Sequence, residues 1–209
     1  MSRRSTTAAL ATLATVGAWV VFAAPAAYAA GLHTWYVSAA ATSPGDGSKG
    51  APFPTLAAVQ AASGPGDTIM VLAAPTSTAP LDGGITLKKG QHLEGSGPSV
   101  VGSSAADLPR IANTTAAANN GDAVDLATDS EVSNLVIAGS YRGSVYGSDV
   151  SGAVVHANDI SGQNTSCANG FLVQPFLLET YTAGVDRAAT TGVQNGWAAI
   201  LFDNSHGNA

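Results

Sequence analysis

Charged side chains make up only 11% of this 209-residue chain, so they gather in few places. Asp122, Asp125, Asp129 and Glu131 form one local group, and Asp149 and Asp159 follow it. Beyond Arg110 the only basic residues are Arg142 and Arg187. Converging carboxylates can coordinate a hard cation such as Ca²⁺, or divide the work of acid and base. The plainer reading of the same residues is turn chemistry and solvated faces that keep a Gly/Ala-rich protein soluble. His33, His92, His156 and His206 are too scattered for a metal motif of recognisable spacing. If Val155 points inward, His156 points outward and has a plain surface role. Gly95-Ser96-Gly97 is not a phosphate loop, because no Lys-Ser/Thr pair follows it.

Composition limits the elements that can position these side chains. With 24 Gly and abundant Ala, Ser, Thr and Asn, the chain is too apolar for disorder. It is too poor in Leu, Glu and Lys for a helical bundle, and many short strands joined by small-residue turns fit better. The first residues, 1–29, read as an export signal. Arg3 and Arg4 supply the charged start, an apolar run extends from Ala8 to Ala24, and Ala27-Tyr28-Ala29 offers a cleavage site. The alternative is an uncleaved anchor through Trp19-Val20-Val21-Phe22, although the run is short for a span. Cleavage leaves a secreted chain starting at Ala30, with six basic against fourteen acidic residues and a net charge of −8. An acidic protein without a basic cluster does not suit nucleic acid, and after cleavage no membrane segment is expected. Cys167 is the sole cysteine, so it is either a small buried hydrophobe or the partner of a thiol outside this chain.

From Trp35 onward the features are ordered. Trp35-Tyr36-Val37 reads as a strand and Ser43-Pro44-Gly45-Asp46-Gly47-Ser48 as a turn. Pro52-Phe53-Pro54-Thr55 leads into a short helix over Leu56 to Ala62, with Thr55 as N-cap and Leu56 and Val59 on one face. Gly64-Pro65-Gly66-Asp67 breaks the helix before the strand Thr68-Ile69-Met70-Val71-Leu72. Taken together, the YVS segment, the Gly/Asp/Ser turn, PF-x-T, the short helix and PGDTI-x-V resemble the N-terminal cap and first rung of secreted, pectate-lyase-like right-handed parallel β-helix proteins.

The remaining chain repeats as such a solenoid requires. Ile85-Thr86-Leu87, His92-Leu93-Glu94-Gly95 and Val100-Val101-Gly102 come first, then Ala123-Val124-Asp125-Leu126 and the stretch from Val132 to Ile137. Ser144-Val145-Tyr146 and the stretch from Val155 to Ile160 follow. Val132 to Val155 and Ile137 to Ile160 are both steps of 23 residues, about one coil. Val132, Ile137, Val155 and Ile160 are therefore expected to be buried and stacked. Alternation turns Asp125 and Tyr146 outward and makes Asp125 a solvent-facing residue whose change to Asn hardly matters. Asn158 is expected to satisfy backbone groups of a turn. The fold class is thus all-β, a right-handed parallel β-helix solenoid with a short capping helix. The domain runs over 30–209, with its cap at about 33–67, coils at about 68–209 and a lateral loop at about 174–196. That loop either carries binding surface or covers the flank of the core. The chain stops after Asp203-Asn204-Ser205-His206-Gly207-Asn208-Ala209 with half a coil unpaired, which reads as a truncated frame.

The resemblance implies polysaccharide chemistry. Lyases of this class abstract a proton beside a uronate carboxylate, using a cation and a basic residue, and the hydrolases use grouped aspartates. On that reading Arg142, Arg187 and Asp149 are the catalytic candidates, and Asp125 and Asp149 are candidate calcium ligands. Asp125, Tyr146 and Tyr181 are the candidate glycan contacts. No adjacent aspartates followed by His-Gly and a basic tripeptide occur, as a family hydrolase would have. The reading that fits best is a secreted scaffold contacting extracellular or cell-surface polysaccharide without a complete catalytic set. The alternatives are a polysaccharide lyase or glycoside hydrolase acting on acidic glycans, and a structural surface protein or adhesin.

Overall fold

The computed structural model describes residues 32–42, 44–165 and 199–209. The leader, Cys167, the loop at about 174–196, Tyr181 and Arg187 lie outside the described residues. The one α-helix described, α1 (Leu56–Ala62), begins where the sequence places it. Thr55 Oγ1 accepts the Ala58 N–H at 3.2 Å, and Leu56 and Val59 are buried. At its other end Lys88 Nζ donates to the carbonyls of Gln60, at 2.9 Å, and Ser63, placing a cation where the helix leaves carbonyls unpaired.

Everything else that is regular is short strand or a single 3-10 turn, and most strands lie in three parallel sheets. The first sheet holds β1 (Thr34–Val37), β2 (Thr68–Val71), β5 (His92–Gly95), β9 (Glu131–Ser133) and β12 (Val154–His156). The second holds β7 (Arg110–Ile111), β10 (Val136–Ala138) and β13 (Asp159–Ser161). The third holds β4 (Ile85–Thr86), β8 (Val124–Asp125), β11 (Val145–Ser148) and β14 (Ile200–Asp203). A small antiparallel pair, β3 (Ala74–Pro75) with β6 (Asp107–Leu108), stands apart. In its later part the chain visits the sheets in rotation, β9, β10, β11 and then β12, β13, β14, so each strand pairs with one laid down a pass earlier.

The register explains the core. Ile69, Leu93, Val132 and Val155 stack across the first sheet, Ile111, Ile137 and Ile160 across the second, and Ile85, Val124 and Val145 across the third, where Ile200 of the last described strand continues the register but is exposed. Each aliphatic side chain buried this way contributes about 1.5–3 kcal/mol relative to exposure. The 23-residue step is real: Val132 pairs with Val155 and Ile137 with Ile160. Burial follows position in the stack, however. Val132 and Ile137 are buried, whereas Val155 and Ile160 are only half-buried, against the expectation for all four. Both belong to the last described strands of their sheets, with a paired strand on one side only.

Turns repeat as faithfully as strands. Two residues before each strand of the first sheet from β2 onward the backbone is left-handed, at Gly66, Gly90, Asp129 and Gly152. Gly207, beside Gly152 through the Ser151–His206 bridge, does the same. Glycine suits that conformation because a side chain there is strained, and at Gly152 a Cβ would also meet Asp129 Oδ1 at 2.7 Å. Asn158 acts as expected: its Oδ1 accepts the Leu135 N–H and its Nδ2 donates to the Val132 carbonyl, both at 2.9 Å. One repeat assignment fails. Val100-Val101-Gly102 is a bend and turn, and the strand of that pass is Arg110–Ile111, reached after an excursion from the first sheet.

Near the first strand, Asp67 ties the cap together. Its carboxylate accepts from the Gly64 N–H at 2.7 Å, the Trp35 indole at 2.9 Å and the His33 N–H at 3.0 Å. Burial alone would raise its pKa, but these three donors outweigh burial and hold it below the ordinary carboxylate range.

Candidate functional site

Polar side chains converge on the outward sides of two sheets. On the third sheet the centre is Asp122, fully buried just before β8. Arg142 donates to it twice, from Nε to Oδ1 at 3.0 Å and from Nη2 to Oδ2, and the Gly143 N–H adds a contact to Oδ1 at 2.7 Å. This is the bidentate geometry that suits guanidinium and carboxylate. The Arg142 guanidinium carbon also lies 5.4 Å from the centroid of the Tyr146 ring, within cation–π reach.

Asp125 stands beside this pair, in register with Thr86 and Tyr146 on the strands either side. It lies between buried Val124 and buried Leu126, as alternation requires, yet it does not simply face solvent. The carboxyl is half-buried and its Oδ1 is enclosed without a hydrogen-bond partner. Burial first, and the negative charge of Asp122 second, push its pKa up to about 7, with Arg142 pulling the other way. Near neutral pH about half of the Asp125 carboxyls are therefore protonated, and in that form the group can donate a hydrogen bond or a proton. The expectation of an indifferent, solvated Asp125 is corrected by the cover that Asp122 and Arg142 provide.

The other candidates fall elsewhere. Asp149 sits in a left-handed turn after β11, its carboxylate taken up by Ser148 Oγ at 3.2 Å and by Asn204 Nδ2. Arg110 spends its guanidinium on the carbonyls of Pro75, Thr76 and Thr78. A cleft near the N-terminal turn, lined by residues such as Ser38, Thr42, Ala51 and Pro52, has no ionisable side chain among the described residues of its lining.

The first sheet brings together residues that the sequence leaves far apart. Parallel pairing sets His92 opposite Glu131 and places Glu94, Ser133 and His156 in one column. His92 Nδ1 lies 3.4 Å from Glu131 Oε2 and 3.7 Å from Glu94 Oε1, and His156 Nε2 lies 3.0 Å from Glu131 Oε1. Among the described residues, His92, Glu94 and Glu131 form the one group of three or more such side chains spaced to hold a metal ion. Neither Asp125 nor Asp149 belongs to it.

No family model, curated protein or solved structure matches the chain. Function must therefore be argued from these two faces. Among the described residues no helix is long and apolar enough to cross a membrane.

The histidine cluster escaped a reading based on spacing because 39 residues separate the paired positions His92 and Glu131. The available signal was His92-Leu93-Glu94, a pair of ligand types two apart in a strand and so on one face.

Proposed function

We propose that the three parallel sheets are the sides of a right-handed parallel β-helix, and that the exported protein is a scaffold contacting polysaccharide at the cell surface or outside the cell. The rotation of the chain through the sheets, the 23-residue step and the recurring left-handed turn all support the solenoid. The contact surface in this reading is the outward side of the third sheet. The observation that carries it is the Asp125 carboxyl, desolvated and with an unpartnered oxygen, next to the Tyr146 ring. A neutral carboxyl and an aromatic face provide hydrogen bonding and stacking for a sugar, and polar groups placed on an apolar ground are what binding sites use for orientation.

Arg142 argues for binding over lyase action. A base must be free to take a proton from the sugar, and the Arg142 guanidinium is committed to its bidentate pair with buried Asp122. Asp125 favours the second reading, a glycoside hydrolase, because a carboxyl with a pKa near 7 suits a general acid. Titration calorimetry of the secreted protein with polygalacturonate and alginate fragments, with product assayed in parallel, separates the two. Binding should weaken about tenfold in Tyr146→Ala, the order expected for one aromatic contact, and should decline above pH 7 as Asp125 ionises. No unsaturated uronate or new reducing end should form. Absence of binding overturns the scaffold reading, and product that disappears in Asp125→Ala establishes the hydrolase.

A further inference from the structure

We infer that the outward side of the first sheet is a binding site for a divalent transition-metal ion of the zinc class, held by His92, Glu94 and Glu131. The inference stands independently of polysaccharide binding, since it uses a different sheet. The ligand atoms of the three side chains lie within 4.8 Å of one another. Two ligands 2.0–2.2 Å from a common ion are separated by roughly 3.3–4.3 Å, so small rotations of partly exposed side chains suffice to close the site. The backbone already aims them: His92 and Glu94 are two apart on β5 and share a face, and Glu131 is the register partner of His92 on the next strand.

Ligand chemistry selects the ion. An imidazole nitrogen with two carboxylates suits zinc and its first-row neighbours, whereas calcium prefers six to eight oxygens. Three protein ligands leave a coordination position for water, the arrangement of open zinc sites. His156 completes the design from outside. It bonds Glu131 Oε1, leaving Oε2 to face His92, and so orients the carboxylate in the way outer-shell partners orient metal ligands. It is a positioning residue here.

The test uses the tag-free secreted protein, stripped with chelator and titrated calorimetrically with zinc chloride alone, then with calcium chloride alone. One zinc ion should bind per chain, and calcium should not bind at this site. His92→Ala and Glu131→Gln should each weaken zinc at least tenfold, His156→Ala by about tenfold or less, and His206→Ala, an exposed histidine on another turn, should change nothing. Far-ultraviolet circular dichroism checks that each variant is folded. Cobalt(II) in place of zinc should give visible absorption that His92→Ala abolishes. No zinc uptake, or uptake unchanged in folded His92→Ala and Glu131→Gln, overturns the site. Equal losses in His156→Ala and His92→Ala overturn the positioning role of His156.

Discussion

The outward sides of the first and third sheets use similar residues to different ends. On the third sheet Asp122 is fully buried and its partner Arg142 is partly buried, its side chain 19% exposed, with the guanidinium also close to the Tyr146 ring. On the first sheet His92, Glu94, Glu131 and His156 all keep substantial contact with water. Burial is the difference that matters. A desolvated pair is strongly interdependent, because either partner left alone carries an uncompensated charge or loses its reason for being there. Exposed pairs are screened, contribute little to stability and leave their ligand atoms available. The third sheet thus has a rigid electrostatic centre that retunes a neighbour, and the first has a pliable ligand cluster on a rigid backbone.

The harshest way to break this contrast is to remove one basic side chain from each face. Arg142→Ala leaves the buried Asp122 carboxylate with the Gly143 N–H as its remaining donor among those described above. The expected loss is about 3–5 kcal/mol, as for other buried pairs deprived of one partner. His92→Ala on the first sheet should stay within about 0.5 kcal/mol of the parent. Urea unfolding at neutral pH measures both. Equal losses would show that burial does not distinguish the faces.

A more selective probe is Asp125→Asn. The folded protein retains the Asp125 proton up to a pKa of about 7, whereas the unfolded chain releases it near the ordinary carboxylate value of 3.8. Across that interval the folded state binds more protons, so this carboxyl makes stability fall as pH rises. Asparagine keeps the shape and removes the ionisation. The variant should match the parent at pH 4 and exceed it at pH 8 by about 1–2 kcal/mol, once the screening that water still provides is allowed for. Thermal melts across this range check it, and parallel pH profiles for both proteins would mean that Asp125 is not desolvated in solution.

The contrast also marks what a sequence can reveal. Thr55 and the apolar spacing of Leu56 and Val59 declared α1, because capping and helical periodicity are local. Val132 with Val155 and Ile137 with Ile160 were legible because nothing interrupts the chain between those passes, so the period survives. The pass between His92 and Glu131 carries an excursion that lengthens it to 39 residues. That insertion hid the strand Arg110–Ile111, too short to announce itself after Pro109, and with it the meeting of His92 and Glu131. Alternation correctly turned Asp125 away from the core. It could not report what surrounds an outward side chain, since Asp122 adjoins Asp125 on the same pass and Arg142 comes from the next.

The smallest effects test whether stability on the first-sheet side lies in its turns and not in its charges. Ala157, just after His156, is left-handed with φ of 54°, and the matching position one pass earlier is Asn134 at 55°. Alanine is strained there by about 1–2 kcal/mol because its Cβ crowds the carbonyl, and glycine is not. Ala157 is exposed, so removing its methyl forfeits no core packing. Part of the gain is returned through the greater freedom of unfolded glycine, leaving Ala157→Gly more stable by about 0.5–1 kcal/mol. Glu131→Gln, in contrast, removes the one charge that both His92 and His156 approach. Glutamine can still accept from either ring, and these contacts are open to water, so the change should cost less than about 0.5 kcal/mol without added metal. Melts of the two variants in chelator-treated buffer decide the order. A larger effect from Glu131→Gln than from Ala157→Gly would mean that the cluster is a structural charge network, and the first sheet would then resemble the third.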